Sequence, residues 1–439
     1  MDTSIKNINA YEILDSRGIP TIKVQVFLDD GSLGDFSVPS GASRGVYEAV
    51  ELRDGDLARY NGKGVLTAVE NVKVKIAPKL LGTDATKQRE IDNVLLRLDG
   101  TKNKSKLGAN SLLGVSCAVC KAAANSHNRK LYNYINSLLI RELNTVKEIL
   151  PKLPIPLFNV LNGGAHADNS LSIQEFMIIP FGITKFSEQL RAGAEIDGHL
   201  KRILKEKGAT TSVGDEGGFA PDLPTDETAL DFLIEAIEVS GYKLESEIVL
   251  GLDIAASQYW EEDDKVYAIP NLSGEKVLVD KPKKVVDFYI SLLNKYPIYM
   301  FEDPLAEDDW VGWRHLAKKF DFKNRLLVGD DLTVTNPERV ERAAKEKLIN
   351  GMIIKPNQIG TLSEVFDVIG LCNKYNIQKI ISHRSGETMD TFIADLAVGT
   401  GSSFIKNGAP QRGERVVKYN RLLEIENELV PNTSSSNLI

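Results

Sequence analysis

What this chain lacks narrows it first. No stretch approaches the ~18 consecutive apolar residues that a membrane span needs. The opening residues, Met1-Asp-Thr-Ser-Ile-Lys-Asn-Ile8, carry neither a long apolar core nor a small-residue cleavage site, so no secretory leader is read there. Cysteine is scarce, 3 in 439 residues, which excludes a disulfide scaffold and suits a reducing compartment. Cys117 and Cys120 form a lone C-x-x-C, but in an apolar, Ala-rich stretch where core packing is the expected role. An excess of positive charge is missing too. The 53 Lys and Arg against 61 Asp and Glu leave −8, which argues against nucleic acid or an anionic membrane as the main partner, though an acidic chain can still bind a small anionic substrate where its cations are concentrated. The expected location is cytoplasmic.

The composition that remains, 42% hydrophobic and 26% charged, is that of a globular protein. Its length fits a barrel of about 250–300 residues plus a second domain. Residues 10–14 and 21–28 read as strands, Asp29-Asp-Gly-Ser32 as a hairpin turn, and 33–38 as the returning strand. Helical periodicity follows over 65–81, 86–98 and 107–124, which together predict an α+β domain. The Pro-rich Leu150-Pro-Lys-Leu-Pro-Ile-Pro156 marks the break. We therefore expect an N-terminal α+β capping domain over 1–140 and a catalytic barrel over 141–439. Within the latter come two strands (157–161, 174–179), two helices (186–207, 225–240), then six alternations of strand and helix. The fold class is α/β, an eight-stranded TIM-like barrel of ββαα(βα)6 order.

Six apolar runs in that second half each finish in a charged or catalytically usable side chain. They are Ile248-Val-Leu-Gly-Leu-Asp253, Ile298-Tyr-Met-Phe-Glu302, Leu326-Leu-Val-Gly-Asp330, Met352-Ile-Ile-Lys355, Lys379-Ile-Ile-Ser-His-Arg384 and Phe404-Ile-Lys406. Continuous apolar runs are the mark of strands buried on both faces, and barrel active sites sit at the C-terminal strand ends. Asp253, Glu302 and Asp330 brought together repel one another by roughly 4 kcal/mol per pair at 4 Å. A divalent cation relieves that, and hard oxygen ligands favour Mg2+. A lone strand-end lysine is usually solvated or ion-paired; Lys355, with Lys406 and Arg384 near a metal, is instead a candidate base whose pKa is expected to fall. Arg384 with the Ser385 hydroxyl suits phosphate. His383 alone fits packing or function equally. His166 lies on a Gly-rich loop, Glu175 follows Gln174 at a strand start, and Glu216 sits between glycines, where a turn role is as good a reading as proton transfer.

At this point the chain resembles the enolases, the phosphopyruvate hydratases, over essentially its whole length. The resemblance rests on Leu14-Asp-Ser-Arg-Gly18, Val38-Pro-Ser-Gly-Ala-Ser43, Asn162-Gly-Gly-Ala-His166, Ile173-Gln-Glu-Phe-Met177, Val213-Gly-Asp-Glu-Gly-Gly218, Glu302-Asp-Pro, Gly329-Asp-Asp-Leu-Thr-Val-Thr-Asn-Pro337, Lys355-Pro-Asn-Gln-Ile-Gly360, Ser382 to Thr388 and Ile405-Lys-Asn-Gly-Ala-Pro410. It implies reversible dehydration of 2-phospho-D-glycerate to phosphoenolpyruvate in glycolysis and gluconeogenesis. Lys355 would be the C2 base, Glu216 the acid and Glu175 its partner. Asp253, Glu302 and Asp330 would hold one Mg2+, and a second, arriving with substrate, would be held partly by Ser43. Arg384 and Ser385 would meet phosphate and Lys406 the carboxylate, with Gln174, His166 and His383 completing the pocket. A Lys or His base working with Mg2+ is what the resemblance to the enolase superfamily implies.

The chain departs from the family at Arg44 (usually Thr), Met389 and Gln258 (usually Glu), Ile19 (usually Asn) and Pro356 after the base. Lys23 and Glu424 reverse a usual Glu–Arg pair across a dimer interface. The expectation is a homodimer in which they still pair, with further assembly to octamers left open. Tyr11 stands where an Arg usually meets the counterpart of Glu414. Two other readings were weighed: another acid dehydratase of the superfamily, and an inactive paralogue with a structural or surface-binding role.

Overall fold

The computed structural model describes residues 2–41, 47–144, 149–270 and 277–429. Three strands, β1 (Ile5–Leu14), β2 (Pro20–Leu28) and β3 (Leu33–Ser37), form an antiparallel meander in the order β1-β2-β3. β2 alternates Val24, Val26 and Leu28, all buried, with half-exposed Lys23, Gln25 and Phe27, so one face turns to helices and the other outward. The expected helix over 65–81 is one helix with a fault. Its pieces Leu66–Glu70 and Ala77–Leu80 flank a π-helical stretch, Asn71–Ile76. Pro78 explains this: it has no N–H to give, and its ring would clash with the carbonyl four residues back.

The helix Ala109–Ser126 is buried on nearly every face, Cys117 and Cys120 included. It lies directly on β3. A Cβ at Gly34 would stand 2.1 Å from the Ala118 carbonyl oxygen and 2.2 Å from the Ala122 nitrogen. The small residues of this helix are what let strand and helix backbones touch.

The barrel is closed. Its strands are β4 (Ile155–Asn162), β5 (Glu175–Ile179), β6 (Val249–Asp253), then, after three short strands described below, β10 (Ile298–Glu302), β11 (Leu326–Gly329), β12 (Gly351–Ile354), β13 (Gln378–Ser382) and β14 (Phe404–Lys406). β5 runs antiparallel to both β4 and β6, while the other neighbours are parallel. Inside, Leu157, Met177, Ile179, Met300, Leu326, Val328, Ile353, Ile380 and Phe404 form their own apolar cluster. The lumen is therefore packed, and chemistry is confined to the rim.

One element was not expected. Between β6 and its helix Pro282–Lys295 the chain makes a separate antiparallel sheet of β7 (Trp260–Glu261), β8 (Val266–Pro270) and β9 (Val277–Asp280). The strict strand–helix alternation predicted there is broken by this excursion. Buried Tyr267 ties it down, its hydroxyl donating to Asp309 Oδ2 at 2.9 Å and accepting from the Ala306 N–H at 2.9 Å. Among the described residues, no helix is long and apolar enough to cross a membrane.

The two halves meet through buried polar contacts. Asp92 Oδ2 accepts from the Ser363 N–H (2.9 Å) and Ser116 Oγ from the Leu362 N–H (3.0 Å), both at the start of the barrel helix Leu362–Tyr375. These groups satisfy orphan donors of a helix N-terminus from the other domain. Gly34→Ala is expected to lower unfolding free energy by about 1–3 kcal/mol through overpacking against Ala118 and Ala122, measured as a fall in urea midpoint at constant slope.

Candidate active site

Strand direction explains the gathering of side chains. β6 and β10 end in Asp253 and Glu302, which face each other in register. Asp330 and Lys355 are the first residues past β11 and β12, and Ser382 pairs with Lys406 at the ends of β13 and β14. Glu175 is the first residue of β5, and because β5 runs backwards, its start lies at the same rim, paired with Asp253 and Asn162. His166 ends a short 3-10 turn, Gly164–His166, and Glu216 comes from the Gly-rich turn.

One cavity at this rim is lined by His166, Gln174, Glu175, Glu216, Asp253, Asp330, Lys355, His383, Arg384, Ser385 and Lys406, among others. Glu302 lies just below it, fully buried and 2.9 Å from Lys406 Nζ. Ser43 and Arg44 lie outside the described residues. The cavity holds only about 50 Å3, because both lysines reach across it. Lys406 Nζ stands 3.0 Å from Asp253, 2.9 Å from Glu302 and 3.2 Å from Glu175. Lys355 pairs directly with Asp330.

Negative charge still exceeds what these cations satisfy. Burial, reinforced by Asp253, pushes the Glu302 carboxyl well above the usual range, although Lys406 opposes this. Its Oε2 has no hydrogen-bond partner. Burial and Asp331 do the same to Asp303. Glu302, Asp303 and Asp330 offer carboxylate oxygens that all lie within 4.8 Å of one another. An orphaned carboxylate oxygen among buried, mutually repelling acids fits a hard divalent cation, and all-oxygen donors fit Mg2+. Asp253 borders the same space, with Oδ2 accepting from Lys406 and from Gln174 Nε2 at 3.3 Å.

The expected fall in the Lys355 pKa is not what the structure has. Burial and the charges of Arg384 and Lys406 lower it, but Asp330 outweighs them and holds the ammonium above its ordinary value. The sequence marks the cations around Lys355 but not the Asp330 carboxylate that the fold brings to bonding distance.

The Glu175–Glu216 pair is split. Burial, with repulsion from Glu216, pushes Glu175 well up despite Lys406. Against burial, Glu216 is held well down by His166, His383 and Arg415. Ser385 Oγ donates to Glu216 at 2.9 Å and Asn159 Nδ2 at 3.2 Å. His383 is pushed down to about 3, chiefly by burial, so it is neutral. Arg415 Nη1 lies 2.6 Å from its Nδ1, and an arginine can only donate, so the ring proton sits on Nε2, 3.4 Å from Glu216. His166 Nδ1 lies 3.5 Å from Glu175 and 3.8 Å from Glu216, between the two acids.

Arg384 and Ser385 are adjacent but serve different partners here. The Arg384 fork meets Glu48 at 3.1 Å and Asn357 Oδ1 at 3.0 Å, whereas the Ser385 hydroxyl turns to Glu216. Sequence reasoning missed Glu48, Asp303, Asn357, Gln358 and Arg415. Asp303 accepts from the backbone N–H groups of Asp330 (3.1 Å) and Asp331 (2.5 Å), so it fixes the turn that presents Asp330. Its signal was the second acid of Glu302-Asp-Pro. Arg415, on the last helix, carried no local signal.

An acidic, lysine-bearing rim on a closed barrel whose second strand is antiparallel, preceded by an α+β domain, has the donor set that cation-assisted acid–base chemistry requires. The family comparison agrees: the N-terminal domain of enolase matches residues 5–135, and the enolase C-terminal TIM barrel domain matches residues 151–436. The chain belongs to the enolase family, whose members are typically Mg2+-dependent lyases acting on small molecules.

Burial, with repulsion from Asp330, pushes the neighbouring Asp331 carboxyl up to about 7, so it keeps part of its protons at neutral pH, and a bound cation favours its charged form. Mg2+ binding is therefore expected to release protons and to tighten as pH rises from about 6 to 8. Calorimetry in buffers of different ionisation enthalpy measures the count; zero release across that range contradicts the charge assignment.

Proposed function

We infer that the protein catalyses the reversible, Mg2+-dependent dehydration of 2-phospho-D-glycerate to phosphoenolpyruvate. The observation that carries this is that a lysine ammonium and two neighbouring buried carboxyls, Glu175 and Glu216, line the same cavity as a buried arginine fork. Elimination next to a carboxylate needs just these: a base for C2, an acid for the C3 hydroxyl, and cations for the two anionic ends of the substrate. Lys355 Nζ, released from Asp330, takes the C2 proton. The electron pair left on C2 forms the new double bond as the C3–O bond breaks. The hydroxyl leaves as water with a proton from the Glu175–Glu216 pair: Glu175, whose carboxyl burial pushes up, holds that proton at rest, and Glu216 must receive it before giving it to the leaving group, with His166 bordering both acids. Lys406 faces the substrate carboxylate, where charge builds as C2 is deprotonated. Arg384 orients the phosphate. Gln174 and neutral His383 hold the walls.

Asp253, Glu302 and Asp330 would hold Mg2+, with Asp303 fixing the Asp330 turn. The chemistry the ion supplies when bound is neutralisation of charge on the substrate carboxylate. Two ions, the second arriving with substrate, belong to this reading, as does a place in glycolysis. Retention of every expected catalytic group among the described residues speaks against an inactive paralogue. The arginine fork speaks against an acid dehydratase whose substrate lacks phosphate.

Absorbance growth from phosphoenolpyruvate on mixing 2-phosphoglycerate, Mg2+ and enzyme tests the activity directly. Lys355→Ala is expected to lower both turnover and C2–H exchange with deuterated solvent by about 10²–10⁴-fold, the usual contribution of a positioned base. Glu216→Gln should lose turnover while exchange persists. Exchange at the parental rate in Lys355→Ala refutes the assignment of the base.

A homodimer is part of the same reading. Within one chain Lys23 pairs with Asp35, and Glu424 with Arg421 at 3.0 Å. A pair between subunits must draw both from these partners, so its worth is orientation, about 0–1 kcal/mol. Lys23→Glu should raise the dimer dissociation constant in sedimentation; an unchanged constant removes the pair.

A further inference from the structure

The Arg384 fork already grips a carboxylate. Nη1 stands 3.1 Å from Glu48 Oε2 and Nη2 3.4 Å from Oε1, with side chains only 6% and 8% exposed. The two residues come from different domains, and both are held from behind. The Arg384 N–H donates to Glu387 Oε1 at 3.3 Å, and its carbonyl accepts from Arg415 Nη1 at 2.7 Å. The Ser40 and Gly386 backbones pair across the domain boundary at 2.8 and 2.9 Å.

Glu48 is pinned on both sides. The Arg339 guanidinium lies 4.1 Å from the Tyr47 ring centre, and the Tyr47 hydroxyl donates to Asp308 at 3.1 Å. Ala49 N donates to the Gln358 carbonyl and Val50 N to that of Asn103, each at 2.8 Å. A second donor waits beside the carboxylate: Gln358 Nε2 is 3.3 Å from Glu48 Oε1 and equally 3.3 Å from Asp330 Oδ1. The Thr335 hydroxyl, donating to Gln358 Oε1 at 2.7 Å, fixes which end of that amide faces them. Glu48 can thus turn away from Arg384 about its own side-chain bonds and keep a partner.

We propose that Glu48 is an affinity-determining residue, an internal anion that competes with the phosphate of a phosphomonoester for Arg384. A carboxylate and a phosphate offer the same geometry to a guanidinium fork, and two anions cannot share it without repulsion. Every phosphate-bearing ligand must then displace Glu48. A ligand anchored also at the lysine and carboxylate end does so, while free inorganic phosphate, lacking that anchor, binds poorly. The same displacement keeps product from being held too tightly. This inference rests on the assignment of Arg384 as the phosphate site.

The test is calorimetric titration of the full-length, Mg2+-loaded protein with inorganic phosphate, beside KM for 2-phosphoglycerate. Glu48→Gln keeps shape and removes charge, and is expected to tighten phosphate at least tenfold and to lower KM by a similar factor. Glu48→Ala should tighten it in the same direction, and Arg384→Gln should abolish binding. Phosphate affinity that is unchanged or weaker in both Glu48 variants, with binding still lost in Arg384→Gln, overturns the competition and makes Glu48 an orienting partner. Binding that survives Arg384→Gln overturns the phosphate assignment itself, and the competition with it.

Discussion

Too much negative charge in too little water is the constraint on which the rest depends. Glu175, Glu216, Asp253, Glu302, Asp303 and Asp330 are all buried around one small cavity. At an effective dielectric near 20, two such charges 4 Å apart repel by roughly 4 kcal/mol, so cations must be brought to them. Lys406 answers three carboxylates, Lys355 one, and Arg384 another. What they leave unanswered, including an unpartnered Glu302 oxygen, is a set of carboxylate oxygens of the kind that could hold a divalent ion. Breaking such a buried cluster by removing one partner costs more than the cluster adds to stability, so it reads as retained for chemistry.

Topology serves that constraint. A barrel with all strands parallel would put the start of its second strand at the far rim. Reversing β5 brings Glu175 opposite Asp253 instead. The N-terminal domain completes the wall. It pairs Ser40 with Gly386, caps a barrel helix with Asp92, and inserts Glu48. Glu48 thereby brings the N-terminal half into the lining of the cavity.

Legibility in the sequence followed the same physics. Strands buried on both faces are readable as apolar runs, so β6 and β10 to β14 and their terminal side chains were visible in order. The small sheet β7–β9 was not. Its strands are only two to five residues long, and the sequence around Trp260 and Tyr267 carries no polar–apolar period that distinguishes it from a loop. Arg415, Glu48 and Gln358 were invisible for another reason. Each works through a partner tens to hundreds of residues away, and nothing in the neighbouring sequence marks that partner. Asp303 was hidden by its neighbour, because Glu302 already explained an acid at that strand end.

The Lys355 pKa shows why counting like charges was insufficient. Burial, Arg384 and Lys406 all favour the neutral amine, and Asp330 alone reverses the balance. Asp330 is also one of the carboxylates whose geometry suits a cation. Any positive charge shared by Asp330 weakens its hold on the ammonium, and the remaining influences on Lys355 then act in one direction. Linkage makes this reciprocal: a neutral Lys355 leaves Asp330 freer to bind a cation. Filling the acidic cluster and freeing the amine are therefore one equilibrium: on the proposed reading, Lys355 offers the neutral amine that can take a proton from carbon only when the charge that would keep it protonated is in use elsewhere.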